Sequence, residues 1–464
     1  MKKNDVVTVT IEDFGINGEG IGKTEGYTLF VKDTVIGDLA EVKVMKAKKN
    51  YGYGKLLKIL RPSKDRTTPE CPVARQCGGC QIQMVSYEKQ LEYKNRKVWN
   101  NLKHIGGVPE KLLARVMEPP CGMKEPYRYR NKAQFPVGRD RNGKLTAGFY
   151  VGRTHQIIPC DDCLLGVKVN QEILDIILAF MEQYRIEPYD EERHQGLVRH
   201  VLIRYGFATD EIMVCLVLNG RRLPHGEVLT EKLAGISGMT SISASINTEK
   251  TNVIMGKEVI TLWGQGYITD YIGDIKYQIS PLSFYQVNPV QTEKLYGTAL
   301  EYADLHGEET VWDVYCGIGT ISLFLAQKAG RVYGVEIVPQ AIEDARRNAE
   351  INKINNAKFF TGKAEEALPE YYKEYASRHP GKQAEADVIV VDPPRKGCAE
   401  SVLETMVRMQ PRKIVYVSCD SATLARDVKY LRENGYELTR GKVVDMFPQT
   451  VHTECVLGMR RKHI

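Results

Sequence analysis

The sequence predicts a multidomain protein: an N-terminal β-barrel, a central α+β region and a C-terminal α/β domain. Three observations predict it. Short strand-like alternations broken by turn residues fill the first 62 residues. Cysteines crowd into residues 71–80 and are followed by a helical stretch and a run of strand patterns. From about residue 277 onward apolar strands alternate with helices, the order of a parallel sheet wrapped on both faces. A chain of 464 residues is long enough for such a division.

The barrel rests on Val6-Val7-Thr8-Val9-Thr10, Thr28-Leu29-Phe30-Val31 and Ala40-Glu41-Val42-Lys43-Val44, separated by Gly18-Glu19-Gly20 and Ile36-Gly37-Asp38. Five short strands at this spacing suggest the OB type, with Arg61-Pro62-Ser63-Lys64 as its exit linker. Residues 63–270 form the central unit. A helix over about 87–105, with Leu91 and Val98 on its apolar side, is a candidate to pack on the C-terminal unit instead. Strands such as Gln156-Ile157-Ile158, His200-Val201-Leu202-Ile203-Arg204 and Ile212-Met213-Val214-Cys215-Leu216-Val217 are interrupted by one helix near 167–184. Residues 271–464 form the last unit.

Hydrophobic residues make up 43% and charged residues 26% of the chain, as in ordinary globular proteins. No run of 18 apolar residues exists, and the N-terminus reads as a strand and not as an export signal, so a cytoplasmic protein is expected. The net charge of +6 is uninformative by itself, but residues 42–64 hold eight Lys/Arg and no Asp/Glu. Residues 128–153 hold seven Lys/Arg against Asp140. Such runs suit phosphate backbones, and a solvated face is the plainer alternative.

Val311-Trp312-Asp313-Val314-Tyr315-Cys316-Gly317-Ile318-Gly319-Thr320 is a buried strand, a glycine turn and a helix start. Glycines let the backbone pass close to a ligand at the carboxyl end of the strand. The next strand, Arg331-Val332-Tyr333-Gly334-Val335-Glu336, ends on an acid placed to accept hydrogen bonds from ribose hydroxyls. The longer phosphate fingerprint G-x-G-x-x-G is missing, which favours a donor without phosphates. S-adenosylmethionine in a Rossmann-like fold fits; a nucleotide or a purely structural turn are the alternatives. Further on, Val388-Ile389-Val390-Val391-Asp392-Pro393-Pro394-Arg395 stops a buried strand at proline and leaves Asp392 at the sheet edge. Lys413-Ile414-Val415-Tyr416-Val417-Ser418-Cys419-Asp420 brings Cys419 to the same edge, just before a helix over 421–433. A helix N-terminus lowers a thiol pKa; a buried structural cysteine is the other reading, and it suits Cys316 and Cys398 better. Asp445-Met446-Phe447-Pro448-Gln449-Thr450-Val451-His452-Thr453-Glu454 delivers a further acid, Glu454, ahead of an apolar strand.

Phe284-Tyr285-Gln286-Val287-Asn288, Asp313-Val314-Tyr315-Cys316-Gly317-Ile318-Gly319, Asp392-Pro393-Pro394-Arg395, Ser418-Cys419 and His452-Thr453-Glu454 occur in this order. Together they resemble the bacterial RNA uridine-C5 methyltransferases over the whole chain, and residues 1–62 resemble that family's RNA-binding TRAM domain. The resemblance implies Cys419 as nucleophile toward uracil carbon 6 and Glu454 as the base that removes the carbon-5 proton. It implies Gln286, Tyr315, Gly317, Glu336 and Asp392 as holders of S-adenosylmethionine. Phe284 is a candidate to fill the stack vacated by a flipped base, with a core role as the alternative. The family often carries Ser-Cys-Asn-Pro where this chain has Ser418-Cys419-Asp420-Ser421. The extra carboxylate is expected to raise the thiol pKa if the two groups sit close.

Eleven cysteines without an export signal argue against a disulfide framework. Cys71, Cys77 and Cys80, with Gly78-Gly79 between the last two, offer three soft thiolates for zinc or an iron–sulfur cluster. The fourth ligand is Cys160 or Cys163. The resemblance favours Cys163, before Leu164-Leu165-Gly166, and a 4Fe-4S cluster over zinc. Such a cluster has no place in methyl transfer, and its loss is expected to weaken RNA binding before donor binding. The resemblance also favours 23S ribosomal RNA as substrate, since the family's transfer-RNA enzymes typically lack the TRAM domain and the cysteine set. Transfer RNA is the alternative, and an iron–sulfur RNA-binding protein with an inactive catalytic domain is a third reading. A monomer, away from membranes, is expected.

Overall fold

The computed structural model describes residues 1–152, 154–378 and 386–462; Arg153, the last member of the second basic run, lies outside them. Strands β1 (Val6–Phe14), β2 (Gly20–Thr24), β3 (Tyr27–Val31), β4 (Leu39–Ala47) and β5 (Tyr51–Arg61) close into a barrel of order β1-β2-β3-β5-β4. Alternate side chains enter it, so Val9, Ile11, Leu29, Val31, Ala40, Val42 and Val44 form one small core. At Gly22 a Cβ would lie 2.3 Å from the Thr10 carbonyl oxygen, so strand pairing there requires glycine. The basic run is β4 and β5. Lys46, Lys48, Lys49, Lys55, Lys58 and Arg61 are exposed, as are Tyr51 and Tyr53, and Lys46 pairs across the strands with Tyr53.

Helices α1 (Tyr87–His104) and α2 (Glu110–Val116) come next, followed by β6 (Lys132–Arg139), β7 (Leu145–Tyr150), β8 (Ile157–Pro159), α3 (Val169–Gln183), β9 (Val198–Tyr205), β10 (Ile212–Leu218), α4 (Gly226–Ala234), β11 (Met239–Ile246) and β12 (Glu258–Gly264). The strands form one sheet in the order β12-β11-β10-β9-β6-β7-β8. Two helices break the strand run where the sequence suggested one; α4 is the addition. Helices α3 and α4 cover one face through Ile173, Ile177, Leu229 and Leu233. Leu202, Met213 and Cys215 on the other face enter the core of the C-terminal unit, which is why β9 and β10 are buried almost throughout.

The hairpin β13 (Ile268–Ile272) and β14 (Ile275–Ile279) precedes α5 (Pro289–Ala303), β15 (Thr310–Val314), α6 (Thr320–Ala326), β16 (Arg331–Glu336), α7 (Pro339–Ile351), β17 (Ala357–Thr361), α8 (Ala364–Arg378), β18 (Val388–Val391), α9 (Glu400–Met409), β19 (Lys413–Ser418), α10 (Ser421–Glu433), β20 (Tyr436–Val444) and β21 (Glu454–Arg461). Their sheet runs β17-β16-β15-β18-β19-β21-β20, parallel except for the antiparallel β21 and its partners. Val388 and Val390 pack toward α5, α6, α7 and the hairpin, whereas Ile389 and Val391 pack toward α8, α9 and α10. Val98 and Leu102 of α1 and Leu113 and Val116 of α2 join this second face. Two early helices therefore complete the last domain, and the hairpin that enters its core spans the 270/271 division. Among the described residues no helix is long and apolar enough to cross a membrane.

Candidate active site

The carboxyl ends of the parallel strands build the site. After β15 the chain turns through three left-handed residues, Tyr315 (φ +70°), Gly317 (+54°) and Gly319 (+82°). A Cβ at Gly317 would meet nothing, so backbone conformation is what selects glycine there. Tyr315 has no such freedom and holds its strained φ because its N–H and that of Cys316 both donate to the Val335 carbonyl at 3.0 Å. Glu336 ends β16. One of its carboxylate oxygens accepts from the Gly317 N–H at 3.3 Å and the other from Val338 N–H at 3.1 Å. The carboxylate is thus oriented before any ligand arrives. Asp313 is buried, accepts from Ser322 Oγ at 2.5 Å through Oδ2, and leaves Oδ1 without a partner.

The segment 283–288 is held from the central sheet. Arg204 of β9 donates to the Ser283 carbonyl. Asn131 donates to the Gln286 carbonyl at 3.0 Å through Nδ2, and its backbone N–H donates to the Val287 carbonyl at 2.9 Å. Asn288 caps α5 and donates to the Met446 carbonyl at 3.0 Å. Phe284 is 69% exposed, which excludes the core role.

Asp392 follows β18 and Cys419 follows β19. Antiparallel pairing sets Ser418 against Cys455, so the next residues across, Cys419 and Glu454, face each other at the sheet edge. Gln286, Tyr315, Gly317, Glu336, Asp392, Cys419 and Glu454 all line one cavity of about 870 Å³. Cys419, Arg395 and His452 also line a second cavity of about 640 Å³, between the barrel, α1 and the start of α10. Cys419 therefore stands in the wall shared by the two cavities. Cys316 and Cys398 are buried.

Burial raises Asp392 and Asp313, each to about 7. It raises Glu454 well above the usual carboxyl range, with the Asp392 charge adding to the rise. Burial also pushes the Cys419 thiol up to about 12; Glu454 and Asp392 add to this and Arg395 opposes it. The sequence offered Asp420 as a group that would raise the thiol if the two sat close. Instead, Asp420 caps α10, accepting from the N–H groups of Ala422 and Thr423 at 3.0 Å each, which is the stronger use of a carboxylate at a helix start. Burial and the cations Arg395, Lys97, Lys94 and Arg130 lower His452 to about 4, leaving a neutral imidazole at the cavity mouth. Asp313, Arg395 and His452 stood inside recognised motifs, but their spacing alone gave them no role.

The cysteines gather elsewhere. Cys71, Cys77, Cys80, Cys160 and Cys163 line a cavity of about 320 Å³ together with Arg130 and Lys132. The expected metal grouping is not closed: among the described residues no three His, Cys, Asp or Glu side chains converge tightly enough to hold an ion. Burial raises Cys71 and Cys77, and Cys80 to about 12. The neighbouring Cys160 lowers the Cys163 thiol against the opposing effect of burial, and the Leu165 and Gly166 N–H groups assist.

Residues 86–462 match the family described as tRNA (Uracil-5-)-methyltransferase. The chain belongs to that family. Residues 2–57 match the TRAM domain, which is the closed barrel. It is therefore an enzyme of the RNA uracil-5 methyltransferase kind, and its C-terminal sheet is the methyltransferase fold. A Halalkalibacterium halodurans protein named an uncharacterized RNA methyltransferase is 49% identical, covering 100% of this chain and 98% of its own. A Clostridium tetani protein of the same description is 47% identical, over 99% and 97%. The crystal structure of Pyrococcus abyssi tRNA (uracil-54, C5)-methyltransferase with S-adenosyl-L-homocysteine aligns at TM-score 0.75 and 28% identity, covering 98% of this chain and 100% of its own.

Proposed function

We propose that the chain methylates carbon 5 of a uridine in RNA, with S-adenosylmethionine as donor, through a covalent bond between Cys419 and uracil carbon 6. The observation that carries this reading is that the Ser418–Cys455 pairing brings the neighbouring Cys419 and Glu454 to the wall of one chamber, and that Cys419 also lines a second cavity beside it. The chamber fits the donor: Glu336 is aimed for ribose hydroxyls, and the orphaned Asp313 Oδ1 suits an ammonium group. Gln286, Tyr315, Gly317 and Asp392 complete that lining. The donor supplies a methyl group on a cationic sulfur.

Carbon 5 of uracil is a weak nucleophile. The Cys419 thiolate adds to carbon 6, and the electron pair of the 5,6 double bond moves into an enolate. Carbon 5 then forms its bond to the methyl group as the methyl–sulfur bond breaks. Glu454 removes the carbon-5 proton, the double bond re-forms, and the thiolate leaves. Arg395, at the mouth of both cavities, favours the thiolate and the enolate. Phe284 at the rim takes the place of the flipped base.

The cysteine set fits a soft, all-sulfur centre, a 4Fe-4S cluster held by Cys71, Cys77, Cys80 and Cys163, with Cys160 as hydrogen-bond donor. It would cross-link the RNA-facing loop and take no part in methyl transfer. Protein purified without oxygen is expected to be brown and to lose that colour in Cys77→Ser; a colourless preparation carrying one zinc would assign zinc instead.

The cysteine set supports 23S ribosomal RNA as substrate, with a monomeric enzyme working in the cytoplasm. Transfer RNA is the second reading, favoured by the Pyrococcus abyssi enzyme, whose title names tRNA uracil-54 and which aligns over 98% of this chain, barrel included. Mapping 5-methyluridine in RNA from cells with and without the gene separates them. Loss of a 23S position is the expected result; loss confined to transfer RNA overturns the first substrate, and no loss anywhere overturns both.

A further inference from the structure

One face of α1 carries Gln90, Lys94, Lys97 and Asn101, at steps of four, three and four residues, the spacing of a single helical stripe. The stripe is polar, yet Gln90 and Lys94 are among the most buried residues of the helix. Its partners are two stretches of chain that bear on the reaction. Gln90 Nε2 donates to Gln449 Oε1 at 2.9 Å, and Gln90 Oε1 accepts from the Gln449 N–H at 3.0 Å. Lys94 Nζ donates to Asp445 Oδ1 at 2.5 Å and to the Phe447 carbonyl at 3.0 Å. Lys97 Nζ donates to the Val451 carbonyl at 3.3 Å. At the far end, Asn101 Nδ2 donates to Ser421 Oγ at 2.8 Å, two residues after the nucleophile.

Residues 445–453, between β20 and β21, have no ladder of their own, and Gln449 adopts a left-handed φ of +69°. Their carbonyls must be satisfied from elsewhere. Besides the α1 donors, Tyr129 donates to the Pro448 carbonyl at 3.0 Å, and the Gln81 and Ile82 N–H groups donate to the Gln449 carbonyl at 3.1 and 3.2 Å. This loop brings His452 into both cavities and ends on Glu454. The Lys94–Asp445 pair is 0% exposed on both sides. Well-packed apolar side chains would stabilise such a contact at least as well, because desolvation offsets the attraction of a buried pair. What hydrogen-bonded charges add is a fixed direction and distance.

We propose that this stripe of α1 is a positioning device, which sets the spacing between the loop that delivers Glu454 and the helix start behind Cys419. The proposal rests on the uridine-C5 reading. Gln90, Lys94, Lys97 and Asn101 touch no reacting atom in it; they hold the two catalytic segments in register from a helix that lies more than 300 residues upstream. Displacements near 1 Å in such a site reduce rates by roughly a hundredfold.

The test compares Lys94→Met, Gln90→Leu and Asn101→Ala in the full chain. Measured are kcat and KM for methyl transfer into total RNA from a strain lacking the gene, the Kd for S-adenosylmethionine, and the melting temperature. Lys94→Met strands Asp445 and can unfold the protein; Asn101→Ala, at the other end of the stripe, removes one hydrogen bond and remains informative. The expected result is a kcat lower by roughly tenfold to a hundredfold with KM and donor Kd within about twofold, in protein that melts cooperatively. If kcat stays within twofold in Asn101→Ala and Gln90→Leu, or falls only in step with donor binding and folded fraction, the stripe is merely structural. Cys419→Ala is run beside them. Methylation by that variant defeats the underlying reading, whereas its inactivity beside fully active α1 variants defeats the positioning device alone.

Discussion

Cys419→Ala is expected to abolish methyl transfer, by at least about 10⁴-fold, while S-adenosylmethionine still binds. Glu454→Gln is expected to behave differently: it should methylate and then stall, so that a protein–RNA species resistant to denaturant accumulates. The difference follows from the order of bonds. The thiolate is needed to make carbon 5 reactive, so its loss stops everything. The carboxylate is needed only after methylation, so its loss leaves the carbon–sulfur bond in place. Both groups must give up a proton, and in the empty site both hold it tightly; burial and the neighbouring carboxylates push Cys419 up to about 12 and Glu454 well above its usual range. A raised acid is ionised only as pH rises, so turnover is expected to keep increasing with pH as far as the protein stays folded, with no descending limb from these two groups. The measurements are single-turnover methyl incorporation and gel retardation of the adduct. A Cys419→Ala enzyme that still methylates uridine, or a Glu454→Gln enzyme that turns over without an adduct, is incompatible with this chemistry.

Much of the catalytic domain was legible because its chemistry sits at strand ends. A buried apolar run followed by Asp-Pro-Pro or by Ser-Cys-Asp announces both the strand and what it delivers, and β16, β18, β19 and α10 lie where those runs are. Helix α4 was not legible: it has nine residues, starts after His225 in a left-handed conformation and has no side-chain cap. The inner face of α1 was hidden for another reason. Helix periodicity is read from apolar residues, and here Gln90 and Lys94 are buried by partners more than 350 residues away. The effect of Asp420 on Cys419 was left open in the sequence because adjacency along the chain does not fix where a carboxylate points. Its backbone is extended at the helix start, and the side chain turns to the free N–H groups of α10. The cysteines were legible as a group, since thiols distant in sequence line one cavity, but spacing does not say how closely the fold brings them together.

Asp392→Asn is expected to make the donor-free protein more stable at pH 8 and nearly inactive. Asp392, Asp313 and Glu454 crowd the same cavity, and the Asp392 charge contributes to the raised pKa of both others. Asp392 itself is held at about 7 by burial, against 3.8 when exposed. Below about pH 4 the carboxyl is protonated whether the chain is folded or not, so it adds no pH dependence. Between about pH 4 and 7 the folded chain keeps a proton that the unfolded chain has released, and stability falls as pH rises. Above that window the folded state carries the full penalty of a buried anion. Asparagine preserves the shape and removes the charge. The variant should therefore match the parent near pH 4 and melt on the order of 5 °C higher at pH 8. Methyl transfer should fall at least about 100-fold, because the charge disfavoured in the empty chamber is what an arriving cationic donor meets. For the same reason, S-adenosylmethionine should raise the melting temperature of the parent more at pH 8 than at pH 5, and raise that of Asp392→Asn little at either. Equal melting shifts for Asp392→Asn at pH 4 and pH 8 would show that Asp392 is not the strained acid of this chamber. A stabilised variant with undiminished turnover would show that its charge is not used on the donor.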